Sequence, residues 1–245
     1  MSSSIVYQRK RALIIGINTY KRDPLDYCIN DAEDLSETLS NIGFDTKLGG
    51  NCRYTEFHGI IDEFAKTIEH DDLVLFYFAG HGKQLEDQNY LLPSDYDYDY
   101  SSDEHHYITD HAINVKYIMK KIDDKSCRVT IYIFDCCRKL VKTRGGDEDQ
   151  GLSSMHAPPK TLIVFACAPG KTVQDETRNG RNGSFVENLL KYIATPNTDI
   201  EEVMKNVARA VNLQTDCFQL PYRTSSLTNA VCLVTANKQG QNFFF

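Results

Sequence analysis

The sequence is short of positive charge, long hydrophobic runs and paired-cysteine spacings, and each shortage removes a class of protein. Lys plus Arg number 27 against 34 Asp plus Glu, a formal net charge of −7 with histidines neutral. Duplex-binding domains carry a basic face, whereas the dense basic stretches here are Lys10-Arg11 and a few residues after position 137. No nucleic-acid partner is expected. The longest apolar runs, Leu73–Ala79 and Leu162–Ala168, are strand length, far below the ~20 residues of a membrane span. The stretch from Met1 to Arg11 lacks the long apolar core and small-residue cleavage site of a secretory signal. These features predict a cytoplasmic protein with no membrane partner. Eight cysteines, at 28, 52, 127, 136, 137, 167, 217 and 232, lie mostly inside apolar runs, which predicts reduced thiols rather than a disulfide framework. No Cys-x-x-Cys pair marks a structural zinc. The glycine-rich and Gly-Lys-Ser/Thr loops of nucleotide-binding α/β domains are missing, although the first strand ends in Gly16-Ile17-Asn18. No internal repeat is found, nor any death, immunoglobulin or zinc-finger segment.

What is present is an ordinary globular composition, 41% hydrophobic and 25% charged. Apolar runs at Ala12–Ile17, Phe44–Leu48, Leu73–Ala79, Val129–Phe134, Leu162–Ala168 and Ala230–Val234 read as six buried strands. Between them lie helical spacings: Leu35, Leu39 and Ile42; Phe57 to Ile68; Val115 to Ile122; Ser184–Ile193; Ile200–Leu213. Asn30 or Asp31 can cap the first helix, and Gly43 follows its end. Alternating strands and helices predict an α/β fold: a mostly parallel six-stranded sheet with helices on both faces. Ligands then sit at the carboxyl ends of the strands. The pattern lapses from Lys139 to Lys160, giving a larger part at 8–140, a linker at 141–160 and a smaller part at 161–236. Tails occupy 1–7 and 237–245, the latter ending in Phe243-Phe244-Phe245.

Two strand ends carry reactive side chains. Leu73–Ala79 runs into Gly80-His81-Gly82, and Val129–Phe134 runs into Asp135-Cys136-Cys137-Arg138. A thiol is a weak nucleophile until deprotonated, so an imidazole is the partner cysteine chemistry requires. Adjacent strands would bring His81 to the cysteines, and the amides of Gly82 and Cys137 could donate to a developing oxyanion. A bland reading competes: a turn histidine and a cysteine serving as a small core hydrophobe. The pairing of the two at consecutive strand ends favours a site.

Phe78-Ala79-Gly80-His81-Gly82, followed by a Cys-Arg pair at the end of the next long strand, resembles the caspase superfamily of cysteine proteases over about residues 8–235. The resemblance implies the caspase-haemoglobinase fold, with a large-subunit-like region before the linker and a small-subunit-like region after it. Asp135-Cys136-Cys137-Arg138-Lys139 is most similar to the paracaspase branch, which puts the nucleophile on Cys137. Metacaspases, the second match, follow their nucleophile with His-Ser-Gly rather than Arg138-Lys139-Leu140. If Asp135 and Cys137 face one way, alternation turns Cys136 the other way, into the core. Asp31 matches the acidic residue that opens the first helix of these families; its plain alternative is a helix cap.

The resemblance also implies a substrate. Caspases that cut after aspartate use arginines, but here the aligned positions are Asp175, Asp135 in place of glutamine, and Leu25 near the earlier arginine. Asp31, Asp135 and Asp175 would form an acidic pocket for Arg, with Lys weaker. The plain alternative for Asp175 is a solvated loop carboxylate. Caspase-like domains pair through their last strand, here Thr228–Thr235, so a homodimer is expected. Lys139, Lys142 and Arg144 are possible self-cleavage points. Asp95-Tyr96-Asp97-Tyr98-Asp99-Tyr100 reads as an exposed acidic loop rather than an EF-hand, and His105, His106 and His111 as residues of a surface loop. No metal or cofactor is expected. The functional alternatives are an inactive caspase-like scaffold and a calcium-dependent metacaspase-type protease.

Overall fold

The computed structural model describes residues 7–99, 104–137, 152, 155–168 and 177–235, with Cys137 described by its backbone. Four elements open the chain: β1 (Lys10–Gly16), α1 (Cys28–Asn41), β2 (Asp45–Gly50) and α2 (Tyr54–Thr67). The next are β3 (Leu73–Leu85), β4 (Gln88–Leu91), α3 (Glu104–His111), β5 (Ile113–Asn114), α4 (Val115–Asp123) and β6 (Val129–Cys137). The last are β7 (Thr161–Phe165), α5 (Ser184–Tyr192), α6 (Ile200–Gln214) and β8 (Tyr222–Ser225). The principal sheet runs β2-β1-β3-β6-β7-β8, parallel except for β8, and β4 with β5 form an antiparallel appendage on β3.

The chain moves left from β1 to β2 through α1, then right through α2 and α4. Right-handed crossovers therefore put α1 on one face and α2 with α4 on the other. α5 packs on α1 and α6 on α5, and α2 packs on α4, so both faces are covered. The central strands are accordingly apolar throughout: Leu73 to Ala79 and Val129, Ile131 to Phe134 are all within a few percent of full burial. Because β6 pairs with β7, the regions before and after the linker share one sheet. No helix among the described residues is long and apolar enough to cross a membrane.

Several sequence expectations change here. Ala230–Val234 is not a strand; it makes one isolated bridge, Asp199 to Cys232, although Val231 and Leu233 are buried. Its carbonyls instead receive Ile200 N at Val231 and Asn197 N at Val234, both at 2.8 Å, which tie down the start of α6. An apolar run records burial, and irregular backbone can supply it as well as a ladder does. The sheet edge is β8, antiparallel to β7, so Thr228–Thr235 is not the last strand. β2 is an edge strand with Leu48 43% exposed, not a buried one. His105, His106 and His111 lie on α3 rather than in a loop. The 95–99 segment is not simply exposed: Tyr96 and Tyr98 are buried against Tyr107 beneath Lys83, while Asp97 pairs with Lys21 and Arg22. Its alternation buries each tyrosine and turns each aspartate outward.

α1 ends as its sequence predicts. Gly43 adopts φ +89, Gly43 N donates to Ser40 O and Phe44 N to Leu39 O, which is a Schellman closure. Its start differs, since the helix begins at Cys28 and its side-chain acceptor is Asn18 Oδ1, 3.0 Å from Ile29 N. Neither Asn30 nor Asp31 is the cap. Gly16 lets this start lie directly on the end of β1: a Cβ there would collide with the carbonyl of Cys28 and stand 2.9 Å from Ala32 Cβ. Gly16→Ala should lower the urea-derived unfolding free energy by about 1–3 kcal/mol through overpacking. Gly59→Ala in α2, where nothing lies within 4 Å, should instead raise it by up to about 1 kcal/mol.

Candidate active site

The order of the sheet reverses at β1, whose neighbours are β2 and β3, and open α/β sheets bind ligands beside such a reversal. β3 continues past Ala79, and its parallel register with β6 sets His81 directly opposite Cys137. Gly80 permits this continuation. A Cβ at that position would lie 2.5 Å from Tyr20 Oη and 2.7 Å from Phe78 Cζ. Leu92 N donates to His81 O, making His81 a bonded position of the β3–β4 ladder. Gly82 opposite Leu91 is then the non-bonded position, whose amide points away from β4.

His81 is held on two sides. Its backbone N–H donates to Tyr20 Oη at 2.9 Å, and that hydroxyl donates to Leu92 O at 3.2 Å. The Tyr20 ring packs on the imidazole with centroids 4.4 Å apart. Nε2 lies 2.7 Å from the carbonyl oxygen of Asp23, a residue in the left-handed region at φ 53. A carbonyl only accepts, so Nε2 carries a proton and the neutral ring keeps its basic lone pair on Nδ1. The sequence contains no signal for this partner, because the atom involved is a backbone oxygen whose direction depends on the loop after β1. Tyr20 likewise carries no signal in the sequence.

Two of the three expected acidic residues, Asp31 and Asp135, come together on the α1 face of the sheet. Asp31 and Asp135 are 3% and 6% exposed. Gly183 N donates to Asp31 Oδ1 at 3.0 Å, and Tyr77 Oη donates to Asp135 Oδ2 at 3.2 Å. Arg181, two residues before Gly183, is bound at two points by Asp34, at 2.6 and 2.8 Å. That pair and Asn182 fix the 179–183 loop against α1. Burial pushes the Asp31 carboxyl well up, and the charge of Asp135 pushes it further, against the hydrogen bonds from Asn182 and Gly183. Burial likewise raises Asp135 from 3.8 to about 7, with the Tyr77 hydroxyl opposing. Tyr77, fully buried beside both, is pushed well above the ordinary tyrosine range and stays a donor. Cys136 is buried in the core on the opposite face, its Sγ 3.2 Å from where a Cβ on Gly82 would stand. Asp175 lies outside the described residues, as do Arg138, the proposed cleavage points at Lys139, Lys142 and Arg144, and Phe243-Phe244-Phe245. Of the linker at 141–160, Leu152 and residues 155–160 are described, and Leu152 packs over Gly82.

The sequence pattern of the Caspase domain family matches residues 9–232. The chain belongs to the caspase family. This caspase-family domain is 26% identical over 185 residues to the human mucosa-associated lymphoid tissue lymphoma translocation protein 1, covering 74% of this chain and 21% of that protein. It is 24% identical over 217 residues to a probable protease of a Desulfuromonadales bacterium, covering 73% of this chain and 25% of that one. The domain thus spans about a fifth to a quarter of the length of these curated relatives. Its fold is that of caspase-1 from Spodoptera frugiperda, with a TM-score of 0.69 at 18% identity, covering 93% of this chain and 92% of that one. A pro-sf-caspase-1 structure gives a TM-score of 0.68 at 17% identity, covering 95% and 92%. The caspase-haemoglobinase architecture and a cysteine-protease family follow from these matches.

The raised carboxyl of Asp135 has a consequence for stability with a definite sign. Between its unfolded pKa near 4 and about 7 in the fold, the folded state holds more protons than the unfolded one, so this contribution is present at low pH and fades as pH rises through about 7. Asp135→Asn removes the dependence. The variant should gain stability relative to the parent on going from pH 5 to pH 8, by up to about 1.4 kcal/mol per pH unit within the window. Urea titrations of both proteins across this range check it, and parallel curves would show that Asp135 is already ionised at pH 5.

Proposed function

We propose that this domain is a cysteine endopeptidase that cleaves after arginine, and more weakly after lysine, in protein substrates. The observation that carries the reading is the pairing of His81 with Cys137 across the β3–β6 ladder, with two buried carboxylates behind it and on the α1 side. In the proposed reaction Nδ1 of His81 takes the proton of the Cys137 thiol, and the sulfur bonds to the carbonyl carbon before the scissile bond. The oxyanion receives the amides of Gly82 and Cys137. Collapse breaks the C–N bond as the imidazolium returns its proton to the departing amine. Water, losing a proton to His81, then hydrolyses the thioester and restores the thiol. The Asp23 carbonyl orients the ring and stabilises its protonated form without itself titrating.

Specificity is assigned to Asp31 and Asp135, with Asp175 as a third carboxylate from the family resemblance. A guanidinium meets carboxylates with charge-assisted and bidentate bonds, which a lysine ammonium cannot match in geometry. The paracaspase-like resemblance of Asp135-Cys136-Cys137-Arg138-Lys139 supports the same assignment. A homodimer is proposed through the edge of β8 that carries no further strand among the described residues, where unpaired strand backbone would otherwise invite uncontrolled association.

The direct test is hydrolysis of fluorogenic tetrapeptides ending in Arg, Lys or Asp, in calcium and in chelator. Arg should be cut fastest. Cys137→Ala should abolish turnover and His81→Ala should reduce it by at least about 100-fold. Faster cleavage of the Asp peptide would refute the acidic-pocket assignment, and loss of cleavage in chelator would favour the calcium-dependent alternative. No cleavage by protein shown to be dimeric would favour a scaffold.

A further inference from the structure

The two proposed specificity carboxylates are both buried and close enough for the charge of Asp135 to act on Asp31, so both cannot readily be ionised together. Asp31 is approached by Asp135 from β6, by Asp34 from its own helix, and by the neutral donors Asn182 and Gly183 from the loop before α5. Asp135 is approached by the Tyr77 hydroxyl from β3, and Cys28 of α1 also lies near that hydroxyl. Among the described residues no cation pairs with either carboxylate, and Arg181 is engaged by Asp34 and Glu33 instead. Two like charges sharing a buried site retain a proton until a cation replaces it.

We propose that the empty pocket holds one proton on the Asp31–Asp135 pair, and that an entering arginine side chain expels this proton to solvent. The inference rests on the basic-residue reading of the pocket. Its chemistry balances. The Asp31–Asp135 pair when empty carries one carboxylate and one carboxylic acid, net −1; when occupied, two carboxylates and one guanidinium, again net −1. The buried charge is therefore unchanged by binding, and no carboxyl O–H survives to compete with the five guanidinium donors. Tyr77 is the positioning residue for this exchange, because its hydroxyl donates to Asp135 Oδ2 whether the pair is protonated or not. The raised carboxyls of both residues agree with a retained proton.

The exchange makes recognition pH-dependent in one direction. While the empty pair retains its proton, affinity for an arginine peptide should rise about tenfold per pH unit, and it should level off once that proton is lost from the empty pair. A peptide in which citrulline replaces arginine has the same shape without the charge and should leave the proton in place. His81 meets both peptides alike, so any protonation change there cancels in the comparison.

The test is isothermal titration calorimetry of the Cys137→Ala chain at about pH 6 and about pH 8.5, in two buffers of different ionisation enthalpy at each pH. The ligands are two C-terminally amidated tetrapeptides differing only in Arg or citrulline at the last position. The Arg peptide should release about one more proton than the citrulline peptide near pH 6 and the same number near pH 8.5. Asp135→Asn should remove the difference, and Tyr77→Phe should weaken Arg binding by several-fold while keeping it. Tighter binding of the Arg peptide with no extra proton released would overturn the exchange and leave the specificity reading intact. Equal affinity for the two peptides would overturn both.

Discussion

The parallel ladder between β3 and β6 is the constraint from which the site follows. Residues opposite one another in a parallel pair project to the same face, so a register of His81 against Cys137 also puts Ala79 beside Asp135 and Tyr77 beside Ile133. A shift of β6 by one residue would put Cys136 on the face of the imidazole and carry Asp135 to the opposite face, away from α1. The register is held by burial on both faces: Phe76, Phe78 and Phe134 fill their layers completely, and Phe134 stacks on Phe165 of the next strand. Core packing thereby positions the chemistry at the strand ends.

Around that ladder, three backbone concessions bring the remaining parts within reach. Gly16 lets α1 lie on the end of β1, which brings Asp31 over the sheet. Gly80 lets Tyr20 come close enough to bind the amide of His81. Asp23 accepts a left-handed backbone, and its carbonyl receives the imidazole. The last is a cost of about 1 kcal/mol at a non-glycine position, and it is located where a fixed ring orientation is most useful. The same loop is tied by Asn51, whose Oδ1 accepts from Asn18 N and Thr19 N. Orientation of the imidazole is thus a property of the β1–α1 loop and not of the strand that carries the histidine.

The electrostatics of the pocket oppose its stability. Two carboxylates are taken out of water next to each other, while Arg181, on the loop whose Gly183 amide binds Asp31, is committed to Asp34. A fold selected for stability alone would replace one of them with an amide. Retaining both is what the proposed arginine pocket requires, and under that proposal the same protons connect the pH dependence of folding to that of recognition.

Much of this was legible from residues alone, because apolar periodicity reports burial and strand ends in parallel α/β sheets report ligand sites. Five of the six expected strand positions, every described helix but α3, the His81 and Cys137 strand ends and the separation of Asp135 from Cys136 could be read in one dimension. What could not be read depends on atoms brought together from far apart. The run at Ala230–Val234 has a strand's composition and no strand partner, while the true edge, Tyr222–Ser225, has an ordinary polar sequence. Asp31 looks like a cap until α1 is seen to start at Cys28. The Asp23 carbonyl, the Tyr20 and Tyr77 hydroxyls and the Gly183 amide have no sequence signature, since any residue supplies a carbonyl or an amide and tyrosines are common in cores. Composition and periodicity determined which strands exist and which residues end them; the tertiary structure decided which polar atoms meet there, because hydrogen-bond partners are selected by distance in space and not by spacing along the chain.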